Sequence, residues 1–248
     1  MPGRVNSIQD KQLEAATFDH LVQAQGGSFE PFTDAAVDAL VGEFRKTANP
    51  RKRQTAIEVG CGTGEFTRRW AALGLDVLGI DLSPAAIAMA RSAAGGPRYE
   101  VGDAEKLPLG DGSVDFVIFA SVLHHIPDFR PAVREAYRVL AKGGICFAFD
   151  PNVFAPQMYL LRHPSSPLYT SEGVSPQERP LRPGELRSAF EGAGFRVRQH
   201  CRAALPYRHV GPRWMRPLLP LYNAYDRLLE WTRLSRVIGS FIITVGSK

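Results

Sequence analysis

The sequence predicts an α/β protein with a seven-stranded, mostly parallel sheet covered by helices on both faces, and three observations carry this prediction. Apolar runs of strand length alternate with helix-length segments from Thr55 to Asp150. These runs are apolar almost throughout, which is typical of strands covered on both faces. A glycine-rich turn, Gly60–Gly64, follows the first run directly, and sheets of this kind bind ligands beyond the carboxyl ends of their strands.

The first part of the chain supplies five of the strands and the helices between them. A helix over Glu65–Leu73 is predicted from the spacing of its apolar residues. Ser83 and Pro84 suit the N-cap and the first position of the next helix. Asp128 is expected to cap a helix that opens at Phe129. The predicted strands are Thr55–Gly60, Asp76–Asp81, Arg98–Asp103, Val114–Ser121 and Gly143–Asp150.

The second part of the chain completes the sheet but contains two insertions. Prolines at 151, 156, 164, 167, 176 and 180 predict an irregular segment that serves as a lid. A helix from Pro183 and strands over Phe195–Cys201 and Ser240–Ser247 follow. The predicted organisation is an N-terminal helical lid over 1–50, a ligand-binding core over 51–150, a lid loop over 151–182, and a C-terminal part of the core over 183–248 that carries an inserted helical cap over 203–239.

Composition and charge exclude several classes of protein. No stretch reaches the ~18 apolar residues of a membrane-spanning helix, and the first residues lack the apolar segment of a secretory signal. Three widely separated cysteines argue against a disulfide framework and favour a cytoplasmic location. The net charge of +5 comes with no recognisable nucleic-acid-binding module, so no nucleic-acid partner is expected.

The residues around the glycine turn indicate which ligand it binds. A dinucleotide site has the pattern G-x-G-x-x-G, whereas here Glu65 stands three residues after Gly62. A carboxylate at that helix N-terminus opposes a pyrophosphate but not a cationic ligand. Glu58, just before the turn, adds a second carboxylate. The turn therefore suits a nucleoside that carries positive charge.

Four motifs in order identify a family resemblance. The segments "EVGCGTG", "GIDLS", "GDAEKLPLGDGSVDFVIFASVLHHI" and "LAKGGICFAFDPN" resemble the class I S-adenosylmethionine-dependent methyltransferases, in particular the group that acts on small molecules. The resemblance covers about Thr55–Pro151, and "LRSAFEGAGF" (Leu186–Phe195) is a further element of this kind. It implies a Rossmann-like fold and S-adenosylmethionine as the cofactor.

The resemblance also implies a cofactor-binding role for individual residues. Asp81 is expected to accept hydrogen bonds from the ribose hydroxyls, with Leu82 against the adenine. Asp103 is expected to bind the adenine amino group, with Ala104 beside it. Glu58, Ala120 and Ser121 are expected near the methionine part. The glycine turn contributes backbone to the same site, and the small side chain of Cys61 is expected to pack within it. The turn residues are Gly60, Cys61, Gly62 and Gly64.

Two adjacent histidines after the fourth strand are the candidate catalytic residues. A histidine can remove a proton from a hydroxyl or ammonium acceptor because its pKa lies near the working pH. His125 is the preferred base and His124 is its neighbour, and the alternative is that both only pack locally. His20, His163 and His209 are weaker candidates. No metal site is expected, because the histidines and cysteines lack ligand spacing and Asp150–Asn152 has no further acidic ligand.

The insertions are expected to form the pocket for the methyl acceptor. Their many large apolar groups favour a bulky apolar or aromatic acceptor. Arginines among them offer a place for an anionic group. The apolar residues are Phe29, Phe32, Phe154, Met158, Tyr159, Leu160, Leu161, Tyr169, Tyr207, Trp214, Met215, Tyr222, Tyr225 and Trp231, and the arginines are Arg162, Arg208, Arg213 and Arg216.

The amphipathic segment Leu218–Thr232 leaves three alternatives open. Its apolar residues, among them Leu221, Leu228 and Leu229, are expected to cover the sheet, with Asp226 on the opposite, polar side. The same face could instead contact a lipid surface or a second subunit. The chain is therefore expected to act as a monomer or a homodimer on a small-molecule acceptor, with a peripheral membrane contact as one alternative.

The sequence as a whole predicts methyl transfer from S-adenosylmethionine to a small, bulky apolar or aromatic metabolite, such as a natural product, a quinone or a lipid-like molecule. The attacking atom is expected to be oxygen or nitrogen, and the reaction an in-line displacement. The alternative is a protein of the same fold that binds S-adenosylmethionine but performs other chemistry or a regulatory role.

Overall fold

A computed structural model describes residues 8–25, 32–93, 96–163, 165–167, 169, 175, 177–203, 205–206 and 217–248. Its strands are β1 (Thr55–Val59), β2 (Asp76–Asp81), β3 (Arg98–Val101), β4 (Val114–Ala120), β5 (Leu140–Pro151), β6 (Arg196–Arg202) and β7 (Phe241–Ser247). Its helices are α1 (Ile8–Gln25), α2 (Asp34–Ala48), α3 (Glu65–Ala72), α4 (Pro84–Ser92), α5 (Arg130–Val139), α6 (Pro156–Arg162), α7 (Pro183–Ala193), α8 (Leu219–Trp231) and α9 (Ser235–Ile238), and a 3₁₀ turn spans Leu123–His125.

The strands form one seven-stranded sheet in the order β3-β2-β1-β4-β5-β7-β6. The neighbours from β3 to β5 pair in parallel, and β7 runs antiparallel to both β5 and β6. The strand order reverses direction at β1, which lies between β2 and β4, so a crevice opens there beyond the carboxyl ends of the strands. The predicted fold class is confirmed, and the glycine turn lies at this crevice.

Capping and apolar spacing explain the local boundaries. The Ser83 hydroxyl accepts a hydrogen bond from the Ala86 N–H at 3.0 Å, which confirms the predicted N-cap of α4. Asp128 accepts from the Arg130 N–H at 3.2 Å, but it is not the N-cap as expected: Phe129 occupies that position and α5 begins at Arg130, one residue later than expected. The segment predicted to be irregular contains α6. The helix tolerates Pro156 because this residue lies in its first turn, where no backbone N–H is needed for a hydrogen bond within the helix.

The N-terminal fifty residues divide between the core and the site. Leu40 and Phe44 of α2 are fully buried, and Phe44 packs edge-to-face against Trp70 at 5.2 Å between ring centroids. Of the predicted lid over 1–50, α2 is therefore part of the core, and α1 lies over the crevice. Phe32, expected to line an acceptor pocket, is instead a core residue at 1% exposure, in contact with the Phe241 ring.

Helix α8 is rotated about its axis relative to the orientation expected, although Leu229 faces inward as expected. Asp226 is 1% exposed and Leu229 is 4% exposed, whereas Leu221 is 71% exposed and Leu228 is 54% exposed. The expectation that Leu221 and Leu228 cover the sheet is wrong. The physical reason is that two buried donors hydrogen-bond to the Asp226 carboxylate. They are the Ser240 hydroxyl at 2.7 Å and the Leu205 N–H at 3.1 Å.

Candidate active site

A cavity of about 230 Å³ lies at the carboxyl ends of β1, β2 and β4, under α1. Its floor is the sheet edge and the glycine turn, and its walls are α1, the 3₁₀ turn and the residues Ser175, Gln177 and Glu178. Of the predicted cofactor residues, those that line it are Gly60, Gly62, Asp81, Leu82, Asp103, Ala104, Ala120 and Ser121, and both candidate catalytic residues, His124 and His125, line it as well.

The three glycines of the turn all adopt positive φ angles, but they differ in what surrounds them. Gly60 has φ +71°, and a side chain there would overlap the Val122 side chain. Gly64 has φ +81°, and a Cβ there would lie 2.5 Å from the Tyr99 hydroxyl. Gly60 is thus needed for the close passage of the segment after β4, and Gly64 for the tight start of α3.

Three predicted cofactor residues, Glu58, Cys61 and Gly64, are not among the residues that line the cavity. Glu58 is 1% exposed within β1. Cys61 packs with Ile87 and Tyr99, and burial raises the pKa of its thiol well above the ordinary range. Cys61 is therefore an inert packing residue in this structure.

Asp81, at the end of β2, is held by backbone N–H groups on both oxygens. Its Oδ2 accepts from the Gly62 N–H at 2.8 Å and its Oδ1 from the Ser83 N–H at 2.9 Å. Burial raises the pKa of this carboxyl, and the two N–H groups oppose the rise. Each oxygen retains acceptor capacity toward the cavity, because a carboxylate offers about four lone-pair sites.

Asp103, two residues past the end of β3, is contacted by α1. The Lys11 ammonium lies 2.7 Å from Asp103 Oδ2 and 2.7 Å from Glu105 Oε2. Burial opposes the charge on Lys11, but the hydrogen bonds that its ammonium donates to the two carboxylates outweigh this effect and raise the pKa of the lysine. A second contact of the same helix is Asp19, whose Oδ1 accepts from the Ser83 hydroxyl at 2.5 Å. Helix α1 is thereby fixed to two cofactor motifs.

His124 is buried and paired with the carboxylate of Asp150 at the end of β5. Its Nδ1 lies 3.0 Å from Asp150 Oδ1, and its backbone N–H donates to the same oxygen at 3.1 Å. Burial lowers the pKa of His124 well below its ordinary value and raises the pKa of Asp150 to about 8. A histidine held neutral in this way, with Nδ1 engaged by a carboxyl group, fixes the 3₁₀ turn to the sheet.

His125 faces the cavity and has a carboxylate behind it. Its Nδ1 lies 3.1 Å from Glu14 Oε1 of α1 and 3.0 Å from the Ser175 hydroxyl. Burial opposes protonation, but the hydrogen bond to Glu14 and the charge of Glu178 outweigh it and raise the pKa of His125. Glu14 is itself 8% exposed. A base oriented by a buried carboxylate is the arrangement that proton abstraction requires.

Sequence reasoning missed the residues that reach the site from distant segments, namely Lys11, Glu14, Ser175 and Glu178. No spacing motif links them to the histidines. Of the weaker histidine candidates, His20 is exposed on α1, His163 stacks on Tyr159 at 4.9 Å between centroids, and His209 lies outside the described residues.

One set of side chains in the described part of the chain lies close enough together to share a metal ion. Ligand atoms of His124, His125 and Glu178 lie within 4.8 Å of one another. Glu178 is far from the histidines in sequence, so ligand spacing could not reveal this group. The expectation of a metal-free site remains a prediction.

The charge around the cavity favours a cationic ligand. Among the described residues, two lysine or arginine side chains, Lys11 and Arg162, line the cavity, whereas six carboxylates line it. Such an excess of acidic groups raises the local concentration of cations. Arg208, Arg213 and Arg216, expected to hold an anionic group, lie outside the described residues. The six acidic residues are Asp10, Glu14, Asp81, Asp103, Glu105 and Glu178.

Comparisons with known proteins agree with this geometry. Residues 57–148 match a family model described as a methyltransferase domain. The chain is 31% identical over 141 residues to a malonyl-[acyl-carrier protein] O-methyltransferase of Serratia marcescens, which covers 56% of this chain and 53% of that protein. It is 28% identical over 162 residues to a ubiquinone biosynthesis O-methyltransferase of Sinorhizobium fredii, which covers 63% of this chain and 65% of that protein. The matches thus span one half to two thirds of these relatives.

Solved structures share the fold over nearly the whole chain. A putative methyltransferase of Haloferax volcanii, solved in complex with the Trm112 methyltransferase activator, has a TM-score of 0.63 at 18% identity and covers 98% of this chain and 99% of its own. The [4+2]-cyclase SpnF has a TM-score of 0.66 at 18% identity and covers 96% of each chain. At these identities the likeness concerns the fold.

The residues present fit the family's methyl donor. S-adenosylmethionine carries ribose hydroxyls, an adenine amino group and a sulfonium charge. The Asp81 and Asp103 carboxylates are acceptors suited to the first two groups, and the acidic lining suits the third. No helix among the described residues has the length and apolar character to cross a membrane. Residues 57–148 thus match a methyltransferase domain, and the sheet order and the motifs resemble those of the class I S-adenosylmethionine-dependent methyltransferases.

Proposed function

We propose that this chain transfers a methyl group from S-adenosylmethionine to a hydroxyl or amine of a small, bulky apolar or aromatic metabolite. The observation that carries the proposal is a carboxylate-backed histidine, His125, in the same cavity as the cofactor residues Asp81 and Asp103. Two of the similar proteins are O-methyltransferases, which supports oxygen as the attacking atom.

The cofactor would be held by the residues at the strand ends. Asp81 would bind the ribose, Asp103 the adenine amino group, and Ala120 and Ser121 would border the methionine part. When bound, S-adenosylmethionine supplies an electrophilic methyl group on a cationic sulfur. The protein's share of catalysis is then alignment, exclusion of water and removal of the acceptor's proton.

His125 is the proposed base and Glu14 its positioning residue. With Nδ1 engaged by Glu14 and Ser175, the Nε2 atom is left as the basic nitrogen. His124 does not share this role, because burial disfavours its charged form and its Nδ1 is engaged by Asp150. The aromatic ring of Phe18 lies edge-on to His125 at 5.3 Å between centroids and gives this part of the cavity an apolar wall.

The test is transfer of a labelled methyl group from S-adenosylmethionine to metabolites extracted from the producing cell. His125→Ala should lower turnover on the order of 10²-fold or more, since positioned general bases contribute 10²–10⁴. His163→Ala is the matched control, because that ring is outside the cavity, and it should leave turnover unchanged. A loss under tenfold for His125→Ala would reduce this residue to a structural role.

The alternative function is other chemistry, or regulation, on the same fold. The likeness to a [4+2]-cyclase supports this alternative, because the same fold is used for methyl transfer and for other chemistry. The labelling experiment separates them: a methyltransferase gives a labelled product and S-adenosylhomocysteine, whereas the alternative consumes no cofactor.

A further inference from the structure

The outward surface of α8 and α9 is apolar to an unusual degree. Leu221, Ala224, Leu228 and Trp231 follow one another at intervals of three, four and three residues, which places them on one stripe of α8. Trp231 is 82% exposed, and past the next turn Leu234 is 55% and Val237 is 67% exposed. Exposed apolar residues in a contiguous set mark an interaction surface rather than ordinary surface composition.

The orientation of this stripe is fixed by the polar groups on the other side of α8. Asp226 is buried and accepts from the Ser240 hydroxyl and the Leu205 N–H, at 2.7 and 3.1 Å. Glu230 accepts from the Ala203 N–H at 3.2 Å. A helix that turns a carboxylate inward and Leu221 and Leu228 outward departs from the usual surface helix. Rotating it to hide the leucines would break these hydrogen bonds and leave buried groups unsatisfied.

Basic side chains accompany the stripe. Arg227, Arg233 and Arg236 are all exposed on α8, the turn and α9. The acidic residues of the same stretch are Asp226, which is buried, and Glu230, which is exposed and accepts from the Ala203 N–H. The exposed surface of this stretch is therefore apolar with three arginines against one glutamate, and it carries a tryptophan, a residue favoured at membrane interfaces.

We propose that α8 and α9 dock the protein on an anionic phospholipid surface. Leu221, Leu228 and Trp231 enter the boundary between headgroups and acyl chains, and the arginines contact lipid phosphates. The charge of the surface selects this occupant over a second copy of the chain, because two copies would bring the same arginines together. The binding requires neither cofactor nor methyl transfer.

The experiment is co-sedimentation of the full chain with vesicles of phosphatidylcholine, with and without phosphatidylglycerol. The double variant Leu228→Asp, Trp231→Asp should lose at least tenfold in partitioning to the anionic vesicles. Val101→Asp is the matched control, because Val101 on β3 is 53% exposed, as Leu228 is at 54%. It should bind as the unaltered protein does.

Two further measurements make the test specific. Changing Arg227, Arg233 and Arg236 to Gln should abolish the preference for phosphatidylglycerol. The tryptophan emission should shift to shorter wavelength on vesicle binding, and Trp231→Phe should remove that shift. No sedimentation of the unaltered chain, equal binding by the double variant, or a solution dimer that Leu228→Asp dissociates would each overturn the proposal.

Discussion

The carboxylate of Asp81 offers the sharpest test of the cofactor site, through the substitution Asp81→Asn. The aspartate accepts from two backbone N–H groups, Gly62 on one oxygen and Ser83 on the other. Asparagine has the same shape but a single oxygen, so one of these N–H groups would face an NH₂ donor. The same change removes the negative charge offered to the ribose hydroxyls.

The magnitude follows from the hydrogen bonds lost. A hydrogen bond to a charged group is worth about 1.5–3 kcal/mol, so two ribose contacts amount to ~3–6 kcal/mol. At about 1.4 kcal/mol per factor of ten, the Kd for S-adenosylmethionine should rise ~10²–10⁴-fold. Calorimetric titration measures this directly, at a temperature where circular dichroism shows the variant to be folded.

A control at the other end of the same strand isolates the effect. Asp76 begins β2, its side chain is 58% exposed, and it pairs with Arg98 at 3.3 Å. Asp76→Asn should leave the Kd within about twofold, because exposed ion pairs contribute little. If Asp81→Asn bound S-adenosylmethionine within about threefold of the unaltered protein, the assignment of this carboxylate to the cofactor would be refuted.

Three other predictions concern the base, the metal question and the core. Glu14→Gln removes a negative charge that raises the pKa of His125. The acidic limb of the pH dependence of kcat/KM should therefore move to lower pH by about one unit or more. An unmoved limb would mean that Glu14 does not act on the base. Dialysis against EDTA should leave turnover unchanged, and a loss restored by Zn²⁺ would instead show that His124, His125 and Glu178 hold a metal. Trp70→Ala should lower the free energy of unfolding in urea by about 3–5 kcal/mol, since Trp70 is fully buried, and a loss below ~1 kcal/mol would contradict its place in the core.

The fold was predictable because its determinants are local. Buried parallel strands read as apolar runs, and Ser83 with Pro84 marks a helix start without knowledge of the rest of the chain. The strand-end residues Asp81 and Asp103 were predictable for a related reason, since parallel strands deliver their carboxyl ends to one edge of the sheet.

The residues that complete the site were not predictable in the same way. Glu14 and Ser175 reach His125 from segments before and after the core, and only the tertiary path of the chain brings them together. The prediction of the inward face of α8 was wrong for a different reason. Helical periodicity separates the two faces of a helix but does not identify the inward one. Here Asp226 is inward because its carboxylate accepts hydrogen bonds from the Ser240 hydroxyl and the Leu205 N–H.

Helix α1 contacts both halves of the site, which has a thermodynamic consequence. Lys11 and Asp19 hold it against Asp103 and Ser83, on the side proposed for the donor, while Glu14 contacts His125, on the side proposed for the acceptor. A ligand that favours the docked helix from one side must tighten binding on the other side by the same factor, because coupling between two sites is reciprocal. The affinities for the proposed donor and acceptor are then coupled through α1. Substitutions in α1 that change the affinity for the acceptor should also change the affinity for the donor.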